Sequence, residues 1–158
     1  MNAATVSTTD RITDEVLLPK PRARVWRALT TAEEFGTWFG VDLTGVTFAE
    51  GTHVRMPMNI PGHPGVMFDA MIEEIRPQDR FSWRWHPYAM DPSIDYSKEP
   101  RTLVTFTLED APGGTLLRVI ESGFDALPEA RRAPALKGNT GGWKGQLHKR
   151  LSGHLEKD

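Results

Sequence analysis

Few side chains in this sequence could do chemistry, and Glu121 leads them. Leu117 and Val119 alternate with Arg118 just before it, so if those two face inward, a period of two sends Glu121 inward as well. A buried carboxylate without partners is expensive, and burial pushes the pKa of such a group upward. It could anchor a ligand hydroxyl or amine, or act as a general acid/base. At a strand end it could equally fray toward water or reach an arginine. No partner that would complete a nucleophile–base pair can be read from the sequence.

The remaining polar candidates do not assemble. His53 and His86 fall on outward positions, His63 lies in a Pro-Gly turn, and His148 and His154 are too poorly aligned on a helix to chelate. Glu73 and Glu74, neighbours on a strand, point to opposite faces, and Asp91, Asp95 and Glu99 lack the spacing of a calcium loop. There are no cysteines, which excludes disulfides, thiolate metal sites and a cysteine nucleophile. Neither G-x-S-x-G, nor a P-loop, nor G-x-G-x-x-G occurs. We therefore expect no metal and no cofactor. Gly141 and Gly142 could offer free N–H groups to an anion, but a close approach of helix to sheet explains them better. Nothing in this inventory demands catalysis.

What the sequence does hold is apolar and aromatic surface, with five tryptophans against two tyrosines. Met56, Met58, Phe68, Ala70, Trp83, Trp85, Val104, Phe106 and Val119 occupy inward positions of alternating stretches, and Trp143 and Leu147 face them from a helix. Trp38 and Phe39 would close one end. These side chains either fill a core or line a cavity. A cavity so lined suits an apolar or aromatic guest, because methionine adapts its shape and indole offers a flat face with one N–H donor.

The elements that would position these residues follow from periodicity. Ile12, Val16 and Leu18 mark a first strand, ended by Pro19 and Pro21. Val25, Trp26 and Leu29, then Phe35, Trp38 and Phe39, recur at helical spacing and give two short helices, the second stopped at Gly40. From Val41 to Glu121 the period is two, with turns at Pro61-Gly62, Pro64-Gly65, Pro77-Gln78-Asp79 and Pro112-Gly113-Gly114. The stretch from His86 to Arg101 carries three prolines and reads as a surface loop or lid. Pro128 and Pro134 limit a short helical approach between Leu127 and Leu136. Asn139 or Thr140 then caps a last helix in which Trp143, Leu147, Leu151 and Leu155 recur. Helices kept apart from an antiparallel sheet mean an α+β fold, and the last helix must lie across the apolar sheet face.

The chain has 158 residues, enough for one domain over residues 11–158, preceded by a polar, flexible tail over residues 1–10. Formal net charge is −2, from 19 basic and 21 acidic side chains, which argues against nucleic-acid binding. The tail lacks an apolar signal region, and no apolar run approaches the ~20 residues of a spanning helix. We expect a cytoplasmic protein with no membrane association.

Four stretches also resemble a known family. Pro21, Val25, Trp26, Leu29, Thr30, Trp38 and Phe39 look like the N-terminal signature of the SRPBCC (START-like) superfamily, in its branch of homologues of the activator of the Hsp90 ATPase. Ile75 to Trp83 is similar to a hairpin of that branch, Gly114 to Phe124 to its last strand and following turn, and Gly142-Trp143 with Leu147 and Leu151 to its closing helix. The resemblance covers roughly residues 12–156. It implies a helix-grip (START/Bet v 1-like) fold, a curved antiparallel sheet of six to seven strands wrapped around a long C-terminal helix, with a cavity between them. The loops Pro57–Gly65 and His86–Arg101 are longer than the family pattern and would reshape the cavity mouth.

Three functions are compatible with this reading. The first is non-catalytic binding of a small hydrophobic or aromatic ligand. The second, implied by the resemblance, is a chaperone- or stress-related interaction module, with an Hsp90-type chaperone or a second copy of the chain as partner. Leu103, Met67 and Met71 would form the outer face for self-association. The third is a cyclase-, aromatase- or hydrolase-like enzyme with Glu121 as acid/base.

Overall fold

The computed structural model describes residues 7–158. A strand β1 (Arg11–Leu18) leads into two short helices, α1 (Arg22–Thr30) and α2 (Ala32–Phe39). Five strands follow: β2 (His53–Pro57), β3 (Met67–Arg76), β4 (Arg80–Trp85), β5 (Thr102–Ala111) and β6 (Gly114–Ser122). They form one antiparallel sheet in the order β1-β6-β5-β4-β3-β2. The sheet has six strands, because Val41 contributes only an isolated bridge to Met58. β3, β5 and β6 alternate buried and half-buried positions along most of their length, so one face packs inward.

Pro21 precedes the first turn of α1, where a missing N–H leaves nothing unpaired. Gly40 ends α2 in the left-handed region at φ 100°, a conformation that costs glycine little. Trp38 is buried beneath α1 and donates its indole N–H to the Ala28 carbonyl at 2.9 Å.

The long C-terminal helix is present, but it starts earlier than expected and absorbs the short helical approach over Leu127–Leu136. A single helix α3 (Glu129–Gly145) runs on through π-helical turns at Gln146–Leu151 into α4 (Ser152–Glu156). Pro134 lies inside α3 and is exposed. It sits in the second turn, so the helix forfeits one interior hydrogen bond and still continues. Asn139 and Thr140 are therefore interior residues rather than caps. Trp143, Leu147, Leu151 and Leu155 are buried at strict four-residue spacing. In an α-helix of 3.6 residues per turn that spacing drifts by about 40° per step. The wider π turns cancel the drift and keep the stripe on the sheet.

Of the tail expected over residues 1–10, residues 1–6 lie outside the described residues. Ser7 and Thr9 donate their hydroxyls to Asp125 at 2.5 and 2.6 Å, and Asp10 accepts from the backbone N–H groups of Gly123, Phe124 and Asp125.

Candidate functional site

β6 carries Glu121 inward, two residues beyond Val119, and its side chain is fully buried. It is not unpaired. Oε2 accepts from Trp85 Nε1 at 2.8 Å and from Thr102 Oγ1 at 2.6 Å. Oε1 accepts from Trp143 Nε1 at 2.9 Å, and Asn139 Nδ2 donates to both oxygens at 3.0 and 3.2 Å. Indole N–H groups only donate, so the set suits a carboxylate whose lone pairs are all occupied. The donors come from β4, β5 and the middle of α3. Glu121 thus ties the long helix to the sheet at one buried point.

The two indoles held this way wall a cavity of about 220 Å³. Trp85 and Trp143 lie 5.8 Å apart between ring centroids, tilted by 30°. Phe39, Met58, Met67 and Met90 complete most of the apolar lining, with Gly138 and Gly142 on the helix side. His86, Asn139 and Gln146 supply its polar groups. His86 Nδ1 and Gln146 Oε1 are both buried without a partner. Burial holds the His86 imidazole below its usual pKa, and the nearby Arg101 charge pushes the same way.

His86, Tyr88, Ala89 and Met90, at the start of the loop 86–101, form the outer wall, and Arg131 of α3 clamps the loop. Its guanidinium donates to the carbonyls of Pro87 and Tyr88 at 2.6 and 3.0 Å and to Glu99 at 3.0 Å, and stacks 4.6 Å from the Tyr96 ring centroid. At the loop's far end Arg101 pairs with Asp69 at 3.0 Å. Tyr88 adopts φ 50°, an unusual conformation for a bulky residue, with its ring against Gly138.

The structure therefore divides the expected lining. Phe39, Met58, Trp85 and Trp143 border the cavity, and Glu121 lies behind them. Phe68, Ala70, Trp83, Val104, Phe106, Val119 and Leu147 are fully buried away from it, Trp38 packs under α1, and Met56 is half-buried against the core. The aromatic residues among them interlock, Trp83 lying 5.3 Å from Phe106, 5.6 Å from Phe35 and 5.8 Å from Phe68. They occupy space that the sequence left open to a ligand.

Other expectations also shift. Gly141 and Gly142 do not allow a close approach, because a Cβ at either would meet nothing within 4 Å. Gly138 does. Leu103, Met67 and Met71 are half-buried, and Met67 also lines the cavity. Glu73 pairs with Arg84, and Glu74 with Arg76 and Arg80. His53, His148 and His154 contact separate carboxylates, and among the described residues no group of three His, Asp or Glu is arranged to hold a metal. Sequence reasoning missed Thr102, Asn139, His86 and Gln146. Thr102 shares the inward parity of Val104 and could have been found that way.

Over residues 19–156 the sequence matches the family described as activator of Hsp90 ATPase homolog 1-like protein. The chain belongs to this family. Its six-stranded sheet, short helices and long C-terminal helix are the helix-grip arrangement of the SRPBCC superfamily. Among solved structures, protein MLL2253 of Mesorhizobium loti is 27% identical, with a TM-score of 0.69 over 93% of this chain and 97% of that one. DynU16, a putative protein in the dynemicin biosynthetic locus, is 26% identical with a TM-score of 0.70; the match covers 93% of this chain but 47% of that one. Protein CV1439 of Chromobacterium violaceum, at 20% identity and a TM-score of 0.71 over 94% of this chain and 99% of that one, shares the fold. A comparison with curated proteins finds no match. Among the described residues no helix is long and apolar enough to cross a membrane.

Proposed function

We propose that this protein binds a small hydrophobic or aromatic molecule, without transforming it, in the cavity between the loop 86–101 and the C-terminal helix. The observation that carries this reading is the wall of Trp85, Trp143, Phe39 and Met58 around about 220 Å³. An apolar cavity of about 150 Å³ accommodates benzene, so the space suits one ring with a compact substituent. It is smaller than the cavities that hold drug-sized ligands.

Glu121 favours binding over catalysis. Five hydrogen bonds from four side chains occupy its oxygens, and withdrawing it to move a proton would strip two indoles, an amide and a hydroxyl of their acceptor. The family supports a ligand- or protein-binding role in general terms. Native mass spectrometry of the purified full chain tests the proposal. The expected result is an adduct lost on denaturation, or one acquired from a panel of single-ring aromatics with a change in tryptophan emission. A clean mass and unchanged emission across aromatic compounds and lipids would overturn it.

A further inference from the structure

The cavity's lining carries no Lys, Arg, Asp or Glu, yet a fully buried carboxylate stands directly behind its aromatic wall. Glu121 takes part in none of the ion pairs found among the described residues. Its partners are four neutral donors, two of them the indoles that face the cavity. Neutral donors satisfy the lone pairs of a carboxylate but leave its charge uncompensated, and in a poorly solvated site that charge is felt over a longer range than in water.

The indoles transmit this asymmetry. A ring that donates its N–H to an anion is polarised so that electron density moves onto its π face, the face that attracts cations. Trp143 and Trp85 both donate in this way, to different oxygens of the same carboxylate. Phe39 and Tyr88 add two more rings to the lining. His86 is the titratable group of the lining that could oppose a cation, and burial biases its imidazole toward the neutral form. An anion in the same space would meet the Glu121 charge, while Arg101 and Arg131, the cations nearest His86, are already paired with Asp69 and Glu99.

Resting on the ligand-binding reading above, we infer that the preferred guest is a lipophilic organic cation, a single ring or short apolar group bearing a quaternary or protonated amine. Recognition is by indole rings polarised through their N–H edges by a carboxylate, and no direct salt bridge forms. Weakly hydrated, quaternised nitrogen suits the site best, since Glu121 has no free lone pair to accept another N–H.

Three probes of nearly equal shape separate this inference from the reading beneath it: benzyltrimethylammonium, neopentylbenzene and benzylsulfonate. Binding is followed on the full chain through the indole N–H signals of Trp85 and Trp143 in proton–nitrogen spectra. The expected result is that the cation binds at least tenfold tighter than the neutral isostere and that the anion does not bind. Neutral binding equal to or tighter than that of the cation would overturn this inference and leave the aromatic-cavity reading standing. If none of the three binds, both fail. In a folded Glu121→Gln variant the cation's advantage over the neutral probe should fall to within about twofold, and an undiminished advantage would count against the inference. Should that variant not fold, the isostere comparison on the parent protein decides.

Discussion

The Tyr88 ring lies against the backbone of Gly138, so close that a Cβ at position 138 would sit 2.3 Å from the ring carbons Cδ1 and Cε1. Tyr88 is also the bulky residue with positive φ in the loop that walls the cavity. Replacing Gly138 by Ala favours the helix by up to about 1 kcal/mol, but forces the ring aside. The loop should yield before the helix, because Tyr88 is exposed and α3 is anchored at Glu121. We expect Gly138→Ala to change global stability by less than about 1 kcal/mol while amide exchange and proteolysis across residues 86–101 accelerate. Unchanged protection in that loop would contradict the contact's role as a latch.

Gly141 and Gly142 provide a contrast on the same helix. A Cβ at either position meets no atom within 4 Å, so Ala should stabilise by up to about 1 kcal/mol at each. Only Gly142 borders the cavity. Gly142→Ala should therefore raise the urea midpoint while weakening binding of a single-ring probe, and Gly141→Ala should raise the midpoint alone. Equal effects of the two on binding would mean that the guest sits elsewhere.

Two buried tryptophans should respond unequally to loss of the indole nitrogen. Trp143 donates to Glu121, whereas the Trp83 N–H is buried without a partner. Trp83→Phe relieves an unsatisfied donor, which offsets part of the lost packing, and we expect a change within about 1 kcal/mol. Trp143→Phe leaves a carboxylate lone pair unmet and should cost about 2 kcal/mol or more. Chemical denaturation of both variants checks the order. A Trp83→Phe variant less stable than Trp143→Phe would show that packing outweighs the hydrogen bond.

Much of this arrangement was legible from alternation alone, and the limits of that legibility have physical causes. Period two placed Trp83, Trp85 and Glu121 on one face, as the register of Val104 opposite Glu121 and of Thr102 opposite Trp85 requires. Parity names a face but carries no depth. Trp83, at mid-sheet, disappears under Phe35 and Phe106, while Trp85, one step nearer the strand's end, borders the cavity. Asn139 looks like a cap because asparagine favours helix starts, and Pro134 suggests a break before it. Its half-buried amide has a better partner in Glu121, a contact between residues 18 positions apart that no local rule encodes. The four-residue spacing from Trp143 to Leu155 did contain a signal for the π turns, because an α-helix cannot keep that stripe on one side.

The lowered pKa of His86 gives the fold a pH dependence of definite sign. Burial is the main cause, with Arg101 and, more weakly, Arg131 acting in the same direction against Asp69 and Glu99. The folded protein thus takes up the His86 proton less readily than the unfolded chain does. As pH falls through the ordinary imidazole value of about 6.5, the unfolded chain is protonated first and stability declines. The decline ends once His86 is protonated in the folded state as well, and above the unfolded pKa the group contributes nothing. The pH dependence therefore lies in the window between the depressed folded value and about 6.5, and the full loss persists below it. Urea midpoints for the parent and His86→Asn proteins should diverge from each other across that window, which separates His86 from the other four histidines. An NMR titration supplies the direct check, with a His86 midpoint below the ordinary imidazole value expected. A midpoint at or above it would mean that the ring is hydrated, and the wall between the loop and the cavity would then be open to water.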